Sequence, residues 1–324
     1  MSELYPKRSV LAYKLYGKDL INMRKIKIIS DSCSDLTAEL MEKYDLDYAT
    51  MYFVRDGKEN KASLTWEQYS PAEYFGMMRE GEKLSTTQVP AGEFDRIFRQ
   101  YLSEGYDVIY IGISNRQSGS VNTGTVVAKE VLKDFPDAKI SCINSLNGSI
   151  GIGMLAIYAS KLVKAGKSFD EIVDEVTAQR KKVNQFMTVY SLESFRRTGR
   201  VENDEAYQAN LMAVKPIMIA DANGAQVPVK KVRGRAASLA EIVDMAAAAG
   251  ANDAVQDDCV YVSQADITEE ELEDIKKLVA EKLPNKKLVI VPFGPIIGVS
   301  VGADAVGLWA FGNEVTYKAG EAAK

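Results

Sequence analysis

The chain has 324 residues, with 40 Lys and Arg against 45 Asp and Glu, a net charge of −5, three cysteines and no histidine. The missing imidazole excludes Ser-His-Asp and Cys-His catalysis, histidine metal ligands and any unperturbed side chain that titrates near neutrality. At 46% hydrophobic and 26% charged the composition is that of an ordinary globular protein; its mild acidity lacks the basic stripe of a nonspecific nucleic-acid binder, and Cys33, Cys142 and Cys259 are too scattered for a disulfide framework or zinc site, which points to a reducing cytoplasm.

Residues 1–24 carry Lys7, Arg8, Lys14, Lys18 and Arg24 against Glu3 and Asp19. Lys14 and Lys18 interrupt each short apolar run, so the segment is not a signal peptide. It is expected to be a loosely packed N-terminal extension, with a basic amphipathic helix as the alternative.

From residue 25 onward, short β-branched runs alternate with helical patterns. Strands are predicted at 25–30, 48–54, 107–112 and 138–143, and helices near 36–44, 70–80, 90–104, 119–134 and 148–165. Three helix starts are signed by a hydroxyl with a carboxylate three residues on: Ser70-Pro-Ala-Glu73, Ser168-Phe-Asp-Glu171 and Thr268-Glu-Glu-Glu271. The alternation predicts a mainly parallel sheet with helices on both faces.

The second half changes character. Residues 216–220 and 226–232 flank Asp221-Ala-Asn-Gly224, whose glycine tolerates positive φ, and a hairpin is expected there. Helices follow at 236–250 and 268–283, strands near 258–263 and 287–292. Between Leu288 and Gly312 the sole charge is Asp304, but Pro292, Pro295 and five glycines would break a membrane-spanning helix; a buried strand, a glycine-rich loop and another buried strand are predicted. The fold class is thus α/β in two domains: an N-terminal mainly parallel sheet over 25–166 and a C-terminal mixed-sheet α+β domain over 167–324.

No cofactor motif survives inspection. Gly151-Ile-Gly-Met-Leu-Ala156 has a loosened dinucleotide spacing but follows its strand by a long loop, which favours close helix packing. Gly119 to Gly124 has phosphate-loop spacing, yet Thr125 and Val126 stand where Lys and Ser or Thr are needed. Asp31-Ser-Cys-Ser-Asp35 ends the first strand, where parallel sheets place ligands; a metal-dependent hydrolase or phosphotransferase using Asp31, Ser32 and Asp35 is one reading, and capping of the next helix by Ser34 or Asp35 is the other. Two hydroxyl-rich turns, Ser85-Thr-Thr-Gln88 and Ser114-Asn-Arg-Gln-Ser-Gly-Ser120, precede helices, so hydroxyls and free N–H groups there form either an anion site or simple caps.

In order along the chain, Ile28-Ile-Ser-Asp-Ser-Cys-Ser-Asp-Leu36, Thr86-Thr-Gln88 with Gly92-Glu-Phe94, Ser118-Gly-Ser120, Ser194-Phe-Arg-Arg-Thr-Gly-Arg-Val201, Lys215-Pro-Ile217, Lys231-Val-Arg-Gly234 and Gly294-Pro-Ile-Ile-Gly298 resemble the DegV family over roughly 25–312. The resemblance implies a two-domain lipid-binding carrier rather than an enzyme. It would enclose one long-chain fatty acid and present the carboxylate to a separate fatty acid kinase for phospholipid synthesis. The family's carboxylate-binding threonine and serine map onto Thr86 and Ser118, the latter followed by Gly119. Its arginine at the ligand mouth maps onto Arg200. The family's C-terminal His-Thr-Gly-Pro-Gly block corresponds to Ser300-Val-Gly-Ala-Asp304, so the histidine associated with acyl phosphate formation is replaced by Ser300. A binding-only carrier without kinase coupling is therefore the alternative within the family.

Overall fold

The computed structural model describes residues 24–202 and 213–319. The predicted extension lies outside these, apart from Arg24, which pairs with Asp107 at 3.0 Å.

The first half forms β1 (Lys25–Asp31), α1 (Ala38–Tyr44), β2 (Leu46–Ala49), β3 (Tyr52–Arg55), β4 (Lys58–Lys61), α2 (Pro71–Arg79), β5 (Ser85–Thr87), α3 (Ala91–Ser103), β6 (Tyr106–Gly112), α4 (Ser120–Val131), β7 (Ile140–Asn144) and α5 (Ile150–Lys164). After α6 (Phe169–Gln179) come β8 (Val183–Thr188), α7 (Glu193–Thr198), β9 (Val214–Ala220), β10 (Gln226–Arg233), α8 (Arg235–Ala248), β11 (Cys259–Gln264), α9 (Glu269–Lys282), β12 (Lys287–Pro292), α10 (Pro295–Val301) and β13 (Val306–Phe311).

Strands β2-β1-β6-β7 make a wholly parallel sheet, as the strand–helix alternation requires. Strands β10-β9-β8-β13-β11-β12 make a mixed sheet in which only β11 and β12 run parallel. The mixed α/β architecture is therefore the predicted one. All three predicted capping boxes are present, each hydroxyl accepting from the N–H three residues on while the carboxylate returns to the cap. The β9–β10 hairpin turns at Gly224 with φ of +82°, and a Cβ there would lie 2.2 Å from Ser114 Oγ, so glycine is required twice over.

Helix α5 connects the two halves physically. It packs on β1 and β6 of the parallel sheet and on β8, β11 and β13 of the mixed sheet. Its residues from Ile150 to Ile157 are all buried, which explains why the segment is apolar on every side rather than striped. Gly151 and Gly153 serve this packing: a Cβ would meet Asn147 Oδ1 at 2.3 Å and the Ser34 carbonyl at 2.9 Å, respectively. No nucleotide loop is involved. One core thus runs from Ile28 and Ile109 through α5 to Val183, Met187 and Trp309, while a second lies between the far face of the mixed sheet and α8 and α9.

Four predictions need correction. The run 48–54 is two strands, because the chain leaves the parallel sheet after Ala49 and enters a separate antiparallel sheet, β4-β3-β5, at Tyr52. Residues 85–87 form the edge strand β5 of that sheet rather than a turn. The cap of α1 is Thr37, not Ser34 or Asp35, since Asp35 has φ of +50° and both its oxygens are engaged elsewhere. The stretch after β12 holds a helix: Pro295 occupies the first turn of α10, where a missing N–H costs nothing.

Candidate functional site

A cavity of about 160 Å³ opens between the carboxyl edge of the parallel sheet and the inner face of the mixed sheet. Thr86, Ser118, Gly119 and Arg200, separated by up to 114 positions, all line it. Each arrives by a different local device. Thr86 is held on β5 opposite Phe53 of β3. Ser118 and Gly119 lie in the loop from β6 to α4, with Gly119 as the N-cap and no side chain capping the helix. Arg200 follows α7, which ends at Gly199 in the left-handed conformation, φ +67°.

The hydroxyls at the α4 start form a short chain in which either serine can donate to the other. The Val89 N–H donates to Ser120 Oγ at 3.2 Å, and Ser120 Oγ lies 3.0 Å from Ser118 Oγ. The Ser120 N–H also donates to Ser118 at 3.3 Å. When Ser120 donates its hydroxyl proton to Ser118, the Ser118 proton is left to point into the cavity, polarised by the chain behind it. Among the described residues no hydrogen bond engages the Thr86 hydroxyl, whereas that of Thr87 donates to the Tyr52 carbonyl at 3.4 Å. Gly119 is glycine for proximity: a Cβ would fall 2.3 Å from Gln88 Oε1, whose amide nitrogen donates to Thr123 at 2.9 Å.

Arg200 is the one charged side chain among the described residues that line the cavity. Its Nε donates to the Gln117 carbonyl at 3.2 Å and its Nη1 to the Thr198 carbonyl. Among the described residues no carboxylate pairs with it. The remaining wall is largely apolar, with Met187, Phe195, Phe293, Ile296, Ile297 and Trp309. One cation, two undercommitted hydroxyls and a helix N-terminus facing an apolar chamber suit a ligand with an anionic head and a hydrocarbon body.

The other predicted cluster behaves differently. Asp31 is fully buried and accepts from Tyr110 Oη at 2.7 Å, the Cys33 N–H at 2.9 Å and the Ile113 N–H at 3.1 Å. Asp35 accepts from the Ser149 hydroxyl and from the Gly294 N–H at 2.9 Å. Ser32 donates to the Ala62 carbonyl and accepts from the Met51 N–H. Burial pushes the Asp35 carboxyl up to about 8 and raises Asp31 too. These three side chains tie the β1 loop to its neighbours; none lines the cavity, and a metal would have to displace those bonds. Cys33 does line it, but burial and the two aspartates raise its thiol well above the usual range, so it is a poor nucleophile.

A family model described as "Uncharacterised protein, DegV family" matches residues 25–313. The chain belongs to the DegV family. A DegV domain-containing protein of Clostridium perfringens is 28% identical over 291 residues, covering 90% of this chain and 99% of its own. One from Clostridium acetobutylicum is 30% identical, covering 88% and 98%. Among solved structures, a stearic acid-binding protein of Eubacterium ventriosum superposes with a TM-score of 0.78 at 24% identity, covering 89% of this chain and 98% of that one. A DegV fatty acid binding protein of Bacillus subtilis superposes at 0.74 with 25% identity, covering 89% and 100%.

Within the DegV fold, Ser300, the position at which the resemblance leads one to expect histidine, also lines the cavity, on α10. It lies 3.4 Å from the Thr198 hydroxyl. The sequence reading named Gln117 only as part of its hydroxyl-rich turn and passed over three further polar lining side chains, Ser149, Gln185 and Gln226. Gln185 carries a weak signal at most, a polar residue between Val183 and Met187 on a strand buried on both faces. Ser149 carries none, since its place depends on three elements meeting. Among the described residues no helix is long and apolar enough to cross a membrane.

Proposed function

We propose that this DegV protein binds one long-chain fatty acid in the cavity, with the carboxylate accepting from Thr86, Ser118 and the Gly119 turn, and Arg200 at its mouth. The observation that carries the reading is that a single chamber gathers these four residues with a run of apolar side chains, Met187, Phe195, Phe293, Ile296, Ile297 and Trp309. Hydrogen bonds to a charged group contribute about 1.5–3 kcal/mol each, enough to orient the head. Burying the tail contributes about 0.8 kcal/mol per methylene, so the apolar wall supplies most of the affinity. The hydroxyls choose the head group, and the tail supplies the strength. The two domains enclosing the ligand are taken as 25–166 and 167–324, with α6 leaning on α5 and β7 across that division.

Organic extraction and mass spectrometry of the protein purified from bacteria test this reading. An acyl chain should be recovered, and delipidated protein should take up added fatty acid. Recovery of none, together with no uptake, rejects it.

On the onward step, Ser300 favours a carrier that binds without kinase coupling. A hydroxyl at this point of the wall cannot replace an imidazole in moving a proton at neutral pH. Loaded protein incubated with a fatty acid kinase and ATP is expected to give no acyl phosphate, and its formation would restore the delivery reading, with Arg200 placed to steady a transferring phosphoryl group.

A further inference from the structure

Two amide side chains of the cavity wall have no part in the carboxylate cradle of Thr86, Ser118 and Gly119 proposed above, and a plain hydrocarbon tail gives them nothing to bond. Gln185 of β8 and Gln226 of β10 are 2% and 4% exposed, and both line the chamber. On β8 the face turned to the cavity reads Val183, Gln185, Met187, so an apolar side chain is the default at the middle position. Strand β9 separates β8 from β10. Met187 pairs with Met218, and Ala220 with Gln226, which sets Ala220 between the two glutamines. Its methyl is small enough for the amides to meet above it. Gln185 Nε2 donates to Gln226 Oε1 at 2.5 Å, and Gln226 Nε2 donates to Gln185 Oε1 at 3.0 Å.

A carboxamide has two N–H donors and an oxygen with two lone pairs. The reciprocal pair uses one donor and one lone pair on each side chain, so each amide keeps one of both. In an unloaded chamber water satisfies them. An unsubstituted acyl tail expels that water and leaves buried N–H groups dry, which is costly. A hydroxyl or carbonyl on the tail would take the water's place.

We infer that the chamber is built for a fatty acid carrying a hydroxyl or oxo group along its chain, with Gln185 and Gln226 reading that group. The inference rests on the fatty acid reading above and narrows its ligand class. The two amides already bond to each other, so a plain chain leaves neither wholly unpaired. The preference is therefore about tenfold, far below that of a site whose polar groups are all left empty by the wrong ligand.

The test is displacement of a fluorescent fatty acid from the delipidated full chain. The competitors are stearic acid, hydroxystearic acids substituted at successive positions, and the matching oxo acids. At least one substituted acid should displace the probe at about tenfold lower concentration than stearic acid. The double variant Gln185→Leu with Gln226→Leu should lose that preference, with stearic acid gaining up to about tenfold because no amide is left dry beneath its tail. If it fails to fold, Gln185→Met, which keeps the side-chain length, makes the same comparison. Stearic acid binding at least as well as every substituted acid overturns this inference and leaves the fatty acid reading standing. A preference that survives in the variants removes the glutamines from the argument and also overturns it. No binding of the probe or of any acid overturns the fatty acid reading itself.

Discussion

The loop leaving β1 and the loop leaving β6 lie side by side at the edge of the same parallel sheet, and both are dense in polar side chains that they use in opposite ways. In the first, Asp31, Ser32 and Asp35 are buried, and their oxygens accept from Tyr110, Cys33, Ile113, Met51, Ser149 and Gly294. In the second, Ser118 is half-buried and faces a cavity, where Thr86, whose hydroxyl no hydrogen bond engages among the described residues, faces it too. The lesson is that hydrogen-bonding capacity already used by the fold is structure, and capacity left over beside a chamber is a site. Position at the strand ends, which the two loops share, does not tell them apart.

That contrast can be broken by exchanging the kind of damage done to each loop. Thr86→Val with Ser118→Ala should weaken fatty acid binding at least a hundredfold, about 3 kcal/mol from two charge-assisted bonds, while thermal unfolding moves little. Titration with a labelled fatty acid and a melting curve measure both. Asp35→Leu should do the reverse, costing about 1–3 kcal/mol of stability because the Gly294 N–H loses its buried acceptor; denaturant unfolding reads this, and unchanged stability would remove the loop's structural role.

The pH dependence sharpens the same comparison. With its folded carboxyl near 8 against an unfolded value of 3.8, Asp35 keeps a proton on folding that the unfolded chain releases. Stability should therefore be greatest at the acid end of that window and fall as pH rises from about 4 to 8, by up to about 1.4 kcal/mol per pH unit, then level off. Asp31, raised for the same reason of burial, acts with the same sign. Asp35→Asn, which can still accept from Gly294, should flatten much of this slope without changing ligand affinity. A slope identical to that of the wild type would show that Asp35 titrates normally. The smallest effect is expected for Gly119→Ala. The new methyl pushes the Gln88 amide off Thr123, so affinity should drop only a few-fold and stability by less than about 1 kcal/mol, since a flexible side chain can move aside.

Legibility in the sequence followed the range of the forces involved. Helices and parallel strands could be read because their signals are local: β-branched runs such as 25–31, and caps such as Ser70 with Glu73. The break at Thr50 between β2 and β3 could not, because continuous strand propensity does not record a change of sheet partner. Helix α10 was hidden by prolines and glycines that read as loop, although Pro295 sits where a helix tolerates it. Thr86 and Ser118 were visible as hydroxyls before helices, and the family resemblance proposed their ligand; which of the two polar loops retained unused donors was not visible, since Tyr110, Ser149 and Gly294 reach the aspartates from 79, 114 and 259 positions away.

The zero histidine count and the serine at 300 were determined by sequence alone, and they bound the chemistry whatever the fold: no imidazole is available anywhere on the chain. Only the tertiary structure decided that Thr86, Ser118, Arg200 and Ser300 face one cavity, and that Gln185 and Gln226 meet over Ala220 within it. The reason is that composition limits which reactions a chain can perform, whereas a site is a relation between distant residues, set by how α5 holds the two sheets against each other.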